Sequence, residues 1–354
     1  MAEPVLITGG CGFIGSSLCR YLVQECAQPV VNVDALTYAA TPDAVAMLVG
    51  DPNYAFEKAD IRDGRTMRAL LERYRPMAIM HLAAESHVDR SIDGPGAFIE
   101  TNISGTYTLL EAALDYWRSL ATQAQAGFRF HHVSTDEVYG ALGPSDPPFT
   151  ERHAYQPNSP YAASKAAADH LVRAWYRTYG LPVVLTNCSN NYGPWQYPEK
   201  MIPVTLTRAL RGESLPVYGR GENVRDWLYV GDHARALRLC LQRGRVGEVY
   251  NIGGRAERRN IDLVRTLCRL LDEAAPLSPF RPHEQLIAFV ADRPGHDFRY
   301  AVSTEKIAKE LGWAPAESFD SGMARTVDWY LKNRAWWDRL VTGRQADERL
   351  GLAR

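Results

Sequence analysis

Short runs of consecutive apolar residues alternate with stretches of helical spacing through the first half of the chain. Val5-Leu6-Ile7 breaks into a glycine-rich turn, and from Ser16 to Glu25 the apolar positions Leu18 and Leu22 share one helix face. A second apolar run, Val30 to Val33, ends in Asp34, and a third strand is expected just before Asp60-Ile61-Arg62-Asp63. Met67, Leu70, Leu71 and Tyr74 then mark a helix, and Met77 to Leu82 a fourth strand that closes on Ala83-Ala84-Glu85-Ser86. Ile99 to Trp117 carries a long helical pattern, and Ala121 to Gly127 is expected to be a polar connection. Phe128 to Val133 has the composition of a buried strand and delivers Ser134-Thr135-Asp136-Glu137 at its end. A proline-rich loop follows Gly140, a helix is expected from Tyr161 to about Tyr179, and a strand from Leu181 to Leu185 leads to Asn190-Asn191. Fully apolar strands alternating with helices predict an α/β fold, a doubly wound parallel sheet covered on both faces.

Beyond Pro194 the alternation weakens. Pro198 to Pro203, Leu215 to Gly219 and Arg225 to Val230 are expected to be short extended pieces between helices at Pro203 to Arg211 and Gly231 to Gln242. With 354 residues the chain exceeds one ordinary core. The expected organisation is a nucleotide-binding domain over residues 1–194 that also holds the chemistry, and a smaller α/β substrate-binding domain, mainly 195–354, with the chain free to cross between them.

Charge narrows the partners. Forty basic against forty-one acidic residues give no electrostatic case for nucleic acid or an anionic membrane. Six scattered cysteines have no metal-ligand or redox spacing, so no metal is expected and buried free thiols are. No segment is long and apolar enough to span a bilayer, and the start of the chain lacks a leader pattern, so a cytoplasmic location is expected.

The glycine turn Thr8-Gly9-Gly10-Cys11-Gly12-Phe13-Ile14-Gly15 follows a strand and opens a helix. Gly9, Gly12 and Gly15 permit a tight turn, close approach of a pyrophosphate and close helix packing, while the helix N-terminus offers N–H groups to phosphate. Asp34 closes the next strand about twenty residues on, where a carboxylate takes the ribose 2′-OH of NAD and repels the extra phosphate of NADP. These features predict a Rossmann-type dinucleotide site. Asp60 lies at a third strand end, where an adenine amine is within reach, and Asp63 suits a helix N-cap. His87, with serine and aspartate nearby, raises a hydrolase triad, but no G-x-S-x-G elbow accompanies it.

Two adjacent carboxylates, Asp136 and Glu137, at a strand end beside the Thr135 hydroxyl supply one proton donor and one proton acceptor if their surroundings separate their pKa values. Tyr161 and Lys165 are one turn apart on a helix, so the ammonium is expected to lie near the phenol and lower its pKa toward neutrality. Asn190 and Asn191 offer amides at another strand end, and Lys200, Arg220, Arg225, Arg293 and Arg299 are cations of the kind a diphosphate needs.

These motifs, with Ala83 to Ser91, Asn187 to Pro194, Arg225 to Val230 and Ala291 to Asp297, resemble the dTDP-glucose 4,6-dehydratases, extended members of the short-chain dehydrogenase/reductase superfamily. The resemblance runs from about Val5 to about Tyr330, and Thr135-Asp136-Glu137 is its most specific part. It implies bound NAD and a nucleoside diphosphate-glucose substrate whose base the sequence leaves open. It also implies that Tyr161 takes the C4 hydroxyl proton as C4 gives up hydride, with Thr135 on that hydroxyl and Lys165 on the nicotinamide ribose. Glu137 would then remove the C5 proton while Asp136 protonates the departing C6 hydroxyl, before hydride returns to C6. By the same resemblance Phe13, Ile14, Asp34, Ala35, Leu36, Thr37, Asp60, Ile61, Ala83, Thr101 and Asn191 contact the cofactor. Ser86, Asn190, Lys200, Arg225, Asn260 and Asp292, Arg293 and His296 contact the substrate. A homodimer joined through Ile99 to Trp117 and Tyr161 to Tyr179 is implied as well.

Two other readings compete. A sugar-nucleotide epimerase or decarboxylase needs the same first oxidation but no acid to expel a hydroxyl, which the Asp136-Glu137 pair argues against. A silent NAD-binding regulator is expected to have lost Tyr161, Lys165 or the acid pair, and all are present.

Overall fold

The computed structural model describes residues 3–292 and 294–342. In chain order the first half comprises β1 (Val5–Thr8), α1 (Phe13–Arg20), β2 (Val30–Asp34), β3 (Tyr54–Lys58), α2 (Gly64–Tyr74), β4 (Ala78–His81), α3 (Val88–Asp93), α4 (Pro95–Phe98), α5 (Thr106–Ser119), α6 (Thr122–Gly127), β5 (Arg129–Thr135) and α7 (Pro160–Tyr179). Then come β6 (Val183–Cys188), β7 (Asn190–Tyr192), α8 (Met201–Arg211), β8 (Leu215–Tyr218), β9 (Val224–Tyr229), α9 (Val230–Arg243), β10 (Val249–Ile252), β11 (Glu257–Arg259), α10 (Asn260–Ala274), β12 (Ile287–Val290), α11 (Glu305–Leu311), α12 (Phe319–Lys332) and α13 (Arg334–Thr342).

Seven of these strands pair in the order β10-β6-β5-β4-β1-β2-β3, and every pairing among them is parallel. All of these strands but the edge strand β3 are covered on both faces, so period-two alternation sorts apolar residues between two cores instead of between core and water. In β1, Val5 and Ile7 join the core under α1 and α9, while Leu6 joins the one under α2, α5 and α7. A third core, around Tyr192, Leu206, Leu267 and Trp337, fills the smaller layer built from α8, α10, α12 and the short sheets β11-β9-β7 and β12-β8. β10 returns from beyond residue 194 to extend the main sheet beside β6.

Local chemistry fixes the element ends. The Asp63 carboxylate accepts from the amides of Arg65 and Thr66, each at 3.1 Å, and starts α2. Ser159 caps α7 through the Ala162 amide at 3.1 Å with Pro160 in the first turn, and Gly180 ends it with φ +76°. Three expectations need correction. Thr122–Gly127 forms a short helix where a connection was expected. Pro198 to Pro203 is not extended, because α8 already begins at Met201. The long helix expected over Ile99 to Trp117 is continuous from Pro95 to Ser119 but widens into a π-turn over Ile99–Gly105. Such widening re-aims side chains near functional sites, and Thr101 within it faces the cleft described next.

Among the described residues no helix is long and apolar enough to cross a membrane.

Candidate active site

The carboxyl ends of β1, β2, β4, β5 and β6, with the loop just after β3, open into one cleft of ≈ 480 Å³. The chain runs outward in both directions from β1, and such a reversal in a parallel sheet leaves a crevice beyond the strand ends. Gly9, Gly12, Phe13, Ile14 and Gly15 form its floor after β1. Asp34, Ala35 and Thr37 line it after β2, Asp60 and Ile61 after β3, and Ala83 and Ser86 after β4. Thr135, Asp136 and Glu137 come in from β5, Tyr161 and Lys165 from α7, and Asn190, Asn191 and Lys200 from the segment after β6.

The glycine turn fits a diphosphate. Gly9 sits at φ +75°, and a Cβ on Gly15 would lie 2.1 Å from the Gly9 carbonyl oxygen, so this approach admits only glycine. The first bond of α1 runs from the Ser16 amide to the Gly12 carbonyl at 2.8 Å, and no side chain caps the helix. The amides of Phe13, Ile14 and Gly15 therefore have no acceptor within the helix and open on the cleft with the positive end of the helix dipole. Asp34 secures the turn: its carboxylate accepts from the Cys11 amide at 2.9 Å and the Leu36 amide at 2.8 Å. Burial pushes its pKa up, and those two amides hold it down. Asp60 is clamped by the Arg62 guanidinium at 2.7 Å, and that hydrogen bond lowers its pKa.

At the end of β5 the two carboxyl groups sit in unequal surroundings. Asp136 is buried and Glu137 only partly so. Desolvation drives the Asp136 pKa well above the usual carboxylate range, and the charges of Glu137 and Asp226 add to this against a smaller opposing pull from Arg225. Asp136 Oδ2 is buried with no hydrogen-bond partner among the described residues. The environment thus favours the proton on Asp136, the direction expected of the acid member of the pair. The Thr135 hydroxyl, 3.4 Å from Asp136 Oδ1, accepts from the Glu137 amide at 3.3 Å and orders the turn.

The expected lowering of the Tyr161 pKa by Lys165 is not found. The Lys165 ammonium donates instead to the Val133 carbonyl at 2.9 Å. Burial, then the Glu137 charge, drives the phenol well above its ordinary value, with only a lesser pull from the Thr135 hydroxyl in the other direction. Sequence spacing placed the two groups on one helix face but could not show that a strand carbonyl takes the ammonium.

The rim is closed by residues from both layers. Lys200 donates to the Ser86 carbonyl at 2.8 Å, and the Tyr38 hydroxyl donates to Glu199 at 3.0 Å beneath the Arg90 guanidinium, which lies 3.8 Å from the Tyr38 ring centre. Asn191 is fixed by Ser189 and by His233, each contact at 2.9 Å, while Asn190 Oδ1 is buried with no hydrogen-bond partner among the described residues. His87 accepts from the Arg90 amide at 3.3 Å and does not line the cleft; burial lowers its pKa to about 4.

Several expected contacts lie off the cleft lining. Leu36, at φ +56°, packs against the core under α1. Arg225 reaches the carbonyls of Asp297 at 2.9 Å and Val224 at 2.8 Å and stacks on Tyr300. Asn260 begins α10, and His296 faces Asp292 at 2.6 Å. Arg293 lies outside the described residues. Conversely, the sequence reading missed Asn102, which ties the cleft wall together: its side chain exchanges two 2.9 Å hydrogen bonds with the Glu85 backbone and donates to Ser164 at 2.9 Å. A buried asparagine inside a helix was the available signal. Cys188, Ser189, Gln196 and Tyr197 also line the cleft without having been singled out.

Comparison with known proteins agrees with this architecture. The family model described as GDP-mannose 4,6 dehydratase matches residues 6–326. A dTDP-glucose 4,6-dehydratase of Neisseria meningitidis is 54% identical over 354 residues, spanning 99% of this chain and 100% of that protein. A dTDP-glucose 4,6-dehydratase of Streptomyces venezuelae, solved with NAD bound, superposes with a TM-score of 0.86 at 45% identity, covering 95% of this chain and 99% of that one. The enzyme of the same name from Bacillus anthracis, also solved with NAD, gives 0.84 at 44% identity, covering 96% and 100%. The chain belongs to the dTDP-glucose 4,6-dehydratase family of extended short-chain dehydrogenase/reductases.

Proposed function

We propose that this chain is a hydro-lyase that converts dTDP-glucose to its 4-keto-6-deoxy derivative and water, with NAD as a resident cofactor. The observation that carries the reading is the convergence of an uncapped α1 N-terminus, the Tyr161 phenol and the Asp136–Glu137 pair on one cleft. The nucleotide follows the relatives, which act on dTDP-glucose by name. NAD is held by the amides of Phe13, Ile14 and Gly15 at its diphosphate, by Asp34 at a ribose and by Asp60 near the adenine. When bound, it would supply the reversible hydride chemistry of the reaction, by which the hydride given up at C4 comes back to C6 and a proton returns to C5.

The residues divide the proton work. Tyr161 receives the C4 hydroxyl proton, Thr135 orients that hydroxyl, and Lys165 holds the nicotinamide ribose. The resulting ketone acidifies C5–H, which Glu137 removes, and Asp136 gives its proton to the C6 oxygen so that water leaves. Each transfer contributes roughly a hundred- to ten-thousand-fold. Ser86, Asn190 and Lys200 at the rim, with Arg225, Asn260, Asp292 and His296 on the side of the smaller layer, hold the nucleoside diphosphate, and Arg293 is assigned to the same task.

Two further assignments go with this reading. The enzyme works in a reducing cytoplasm, which suits six cysteines that all remain free. It is a homodimer joined through the Pro95–Ser119 helix and α7, where Ile99 is exposed and Tyr107 and Tyr179 are exposed beside Trp175.

The test is incubation with dTDP-, UDP-, GDP- and CDP-glucose, followed by the alkaline absorbance of the 4-keto product. The expected result is signal with dTDP-glucose above the others. No signal with any of the four overturns the proposal.

A further inference from the structure

Behind the cleft lies a carboxylate that the chemistry above does not use. Asp169 is fully buried, does not line the cleft, and follows Tyr161 and Lys165 at four-residue steps along one face of α7. Its Oδ2 accepts from the Ser134 hydroxyl at 2.9 Å, and its Oδ1 stands 3.1 Å from His132 Nε2. Between those two residues of β5 lies Val133, whose carbonyl takes the Lys165 ammonium. Three consecutive residues of the strand that ends in the acid pair are thus engaged by two charged groups of α7.

Among the described residues the other titratable groups packed around Lys165 are neutral near pH 7. His81 on β4 and His132 on β5 are held neutral by burial, and burial pushes the Cys188 thiol on β6 up to about 12. The Tyr161 phenol is raised as well. Asp169 in turn faces the phenols of Tyr155 and Tyr139, both raised by burial, and the exposed His170 beside it. That leaves Asp169 as the anion opposing Lys165, and a buried lysine without such a partner tends to give up its proton.

We propose that Asp169 is a positioning residue: anchored to β5 by Ser134, it is the counter-charge that keeps Lys165 an ammonium and holds it at the edge of the cleft. The inference rests on the role given above to Lys165. The pKa directions accord with it, since burial lowers Lys165 and the Asp169 charge raises it again, while Asp169 itself is raised to about 6 and remains ionised at pH 7.

Asp169→Asn removes the charge while keeping the size and an acceptor for Ser134. With its counter-charge gone, Lys165 loses its proton at a pH lower by about one unit or more, and one unit is about a factor of ten. The kcat of the variant relative to the native enzyme is therefore expected to fall further at pH 8.5 than at pH 6.5, by up to about tenfold for a one-unit shift. An equal loss at both pH values, or no loss, overturns the proposal. A second measurement needs no variant at position 169. The sequence has six lysines, so the 15N resonance of Lys165 in the native holoenzyme can be assigned by its disappearance in Lys165→Met. An ammonium signal at pH 8 is expected, and a neutral amine there overturns the proposal. Full activity in Lys165→Met would remove the catalytic reading of Lys165 itself, which the resonance tests separately.

Discussion

Lys165 on α7 and Val133 on β5 are joined by a 2.9 Å hydrogen bond from ammonium to main-chain carbonyl, and that bond turns the charge away from the Tyr161 phenol. The phenol is left with burial and the nearby Glu137 carboxylate, both of which disfavour its ionised form. The residue that removes the C5 proton thus also resists loss of the Tyr161 proton.

Replacing that carboxylate separates its two effects. Glu137→Gln removes a negative charge near the phenol, so the Tyr161 pKa falls and the pH at which C4 oxidation begins moves down. The expected outcome is bound NADH, read at 340 nm, appearing at a pH lower by about one unit or less than in the native enzyme. An unchanged or raised onset would show that Glu137 does not act on Tyr161.

The acid pair should also divide oxidation from elimination. Asp136→Asn and Glu137→Gln each leave Tyr161, Thr135 and the glycine turn intact, so both are expected to form bound NADH on mixing with dTDP-glucose. Release of the 4-keto-6-deoxy product should fall by roughly a hundred- to ten-thousand-fold in each. Failure of both variants to form any NADH would contradict the separation of roles.

The sheet and the glycine turn were legible because their signals are local. Apolar runs bounded by glycine and polar residues set the strands, and the turn needs glycine wherever a Cβ meets backbone, as at Gly15. The Thr135-Asp136-Glu137 cluster was legible because a buried strand runs straight into it. What the sequence did not disclose depends on contacts between distant segments. Lys165 finds Val133 across 32 positions, Asn102 binds the Glu85 backbone, and Glu199 meets Tyr38 across 161. The helix at Thr122–Gly127 was missed because its buried face is empty, which leaves no periodic apolar signal to read.

Gly15→Ala tests the cofactor site without touching the chemistry. The added methyl lies 2.1 Å from the Gly9 oxygen and 2.9 Å from the Gly10 Cα, so the turn must open and the amides of Phe13 and Ile14 shift away from the diphosphate. NAD content after gel filtration is expected to fall to about a tenth or less of the native value, since displaced charge-assisted hydrogen bonds are each worth about 1.5–3 kcal/mol. Native NAD content in this variant would show that the turn does not hold the diphosphate.

The exposed aromatic stripe makes the dimer proposal testable. Tyr107 is 48% exposed and Tyr179 43%, with Trp175 in edge contact with both, at 5.9 and 5.3 Å. A charge placed in the middle of such an interface is left desolvated and unpaired. Tyr107→Lys is therefore expected to sediment as a monomer at concentrations where the native chain is a dimer. A variant that remains dimeric would move the interface elsewhere.

Buried neutral histidines set an acid limit on stability. His131 lies inside the sheet with Nε2 3.1 Å from the Thr186 hydroxyl, and burial lowers its pKa from 6.5 to about 3; His233 is lowered to about 3 as well. Above pH 6.5 each is neutral in both folded and unfolded chains and contributes no pH dependence. As pH falls below 6.5 the unfolded chain takes up protons that the folded one refuses, so stability drops by about 1.4 kcal/mol per pH unit for each such residue, down to its folded pKa. His81 and His132 are lowered in the same direction, which multiplies the slope. Against a typical total of about 5–15 kcal/mol these groups press the fold toward acid lability below pH 6.5, offset in part by Asp136 and Asp169, whose raised carboxyls take up protons sooner in the folded chain than in the unfolded one. His131→Gln removes one titrating group, at some cost to packing that is the same at every pH. Urea unfolding at pH 7, 6 and 5 should therefore give a less stable variant whose stability falls less steeply than the native chain's, by about 1.4 kcal/mol per unit between pH 6 and 5. Equal slopes would mean that His131 is already protonated in the folded protein, its charge met by the Thr186 hydroxyl, which carries no opposite charge.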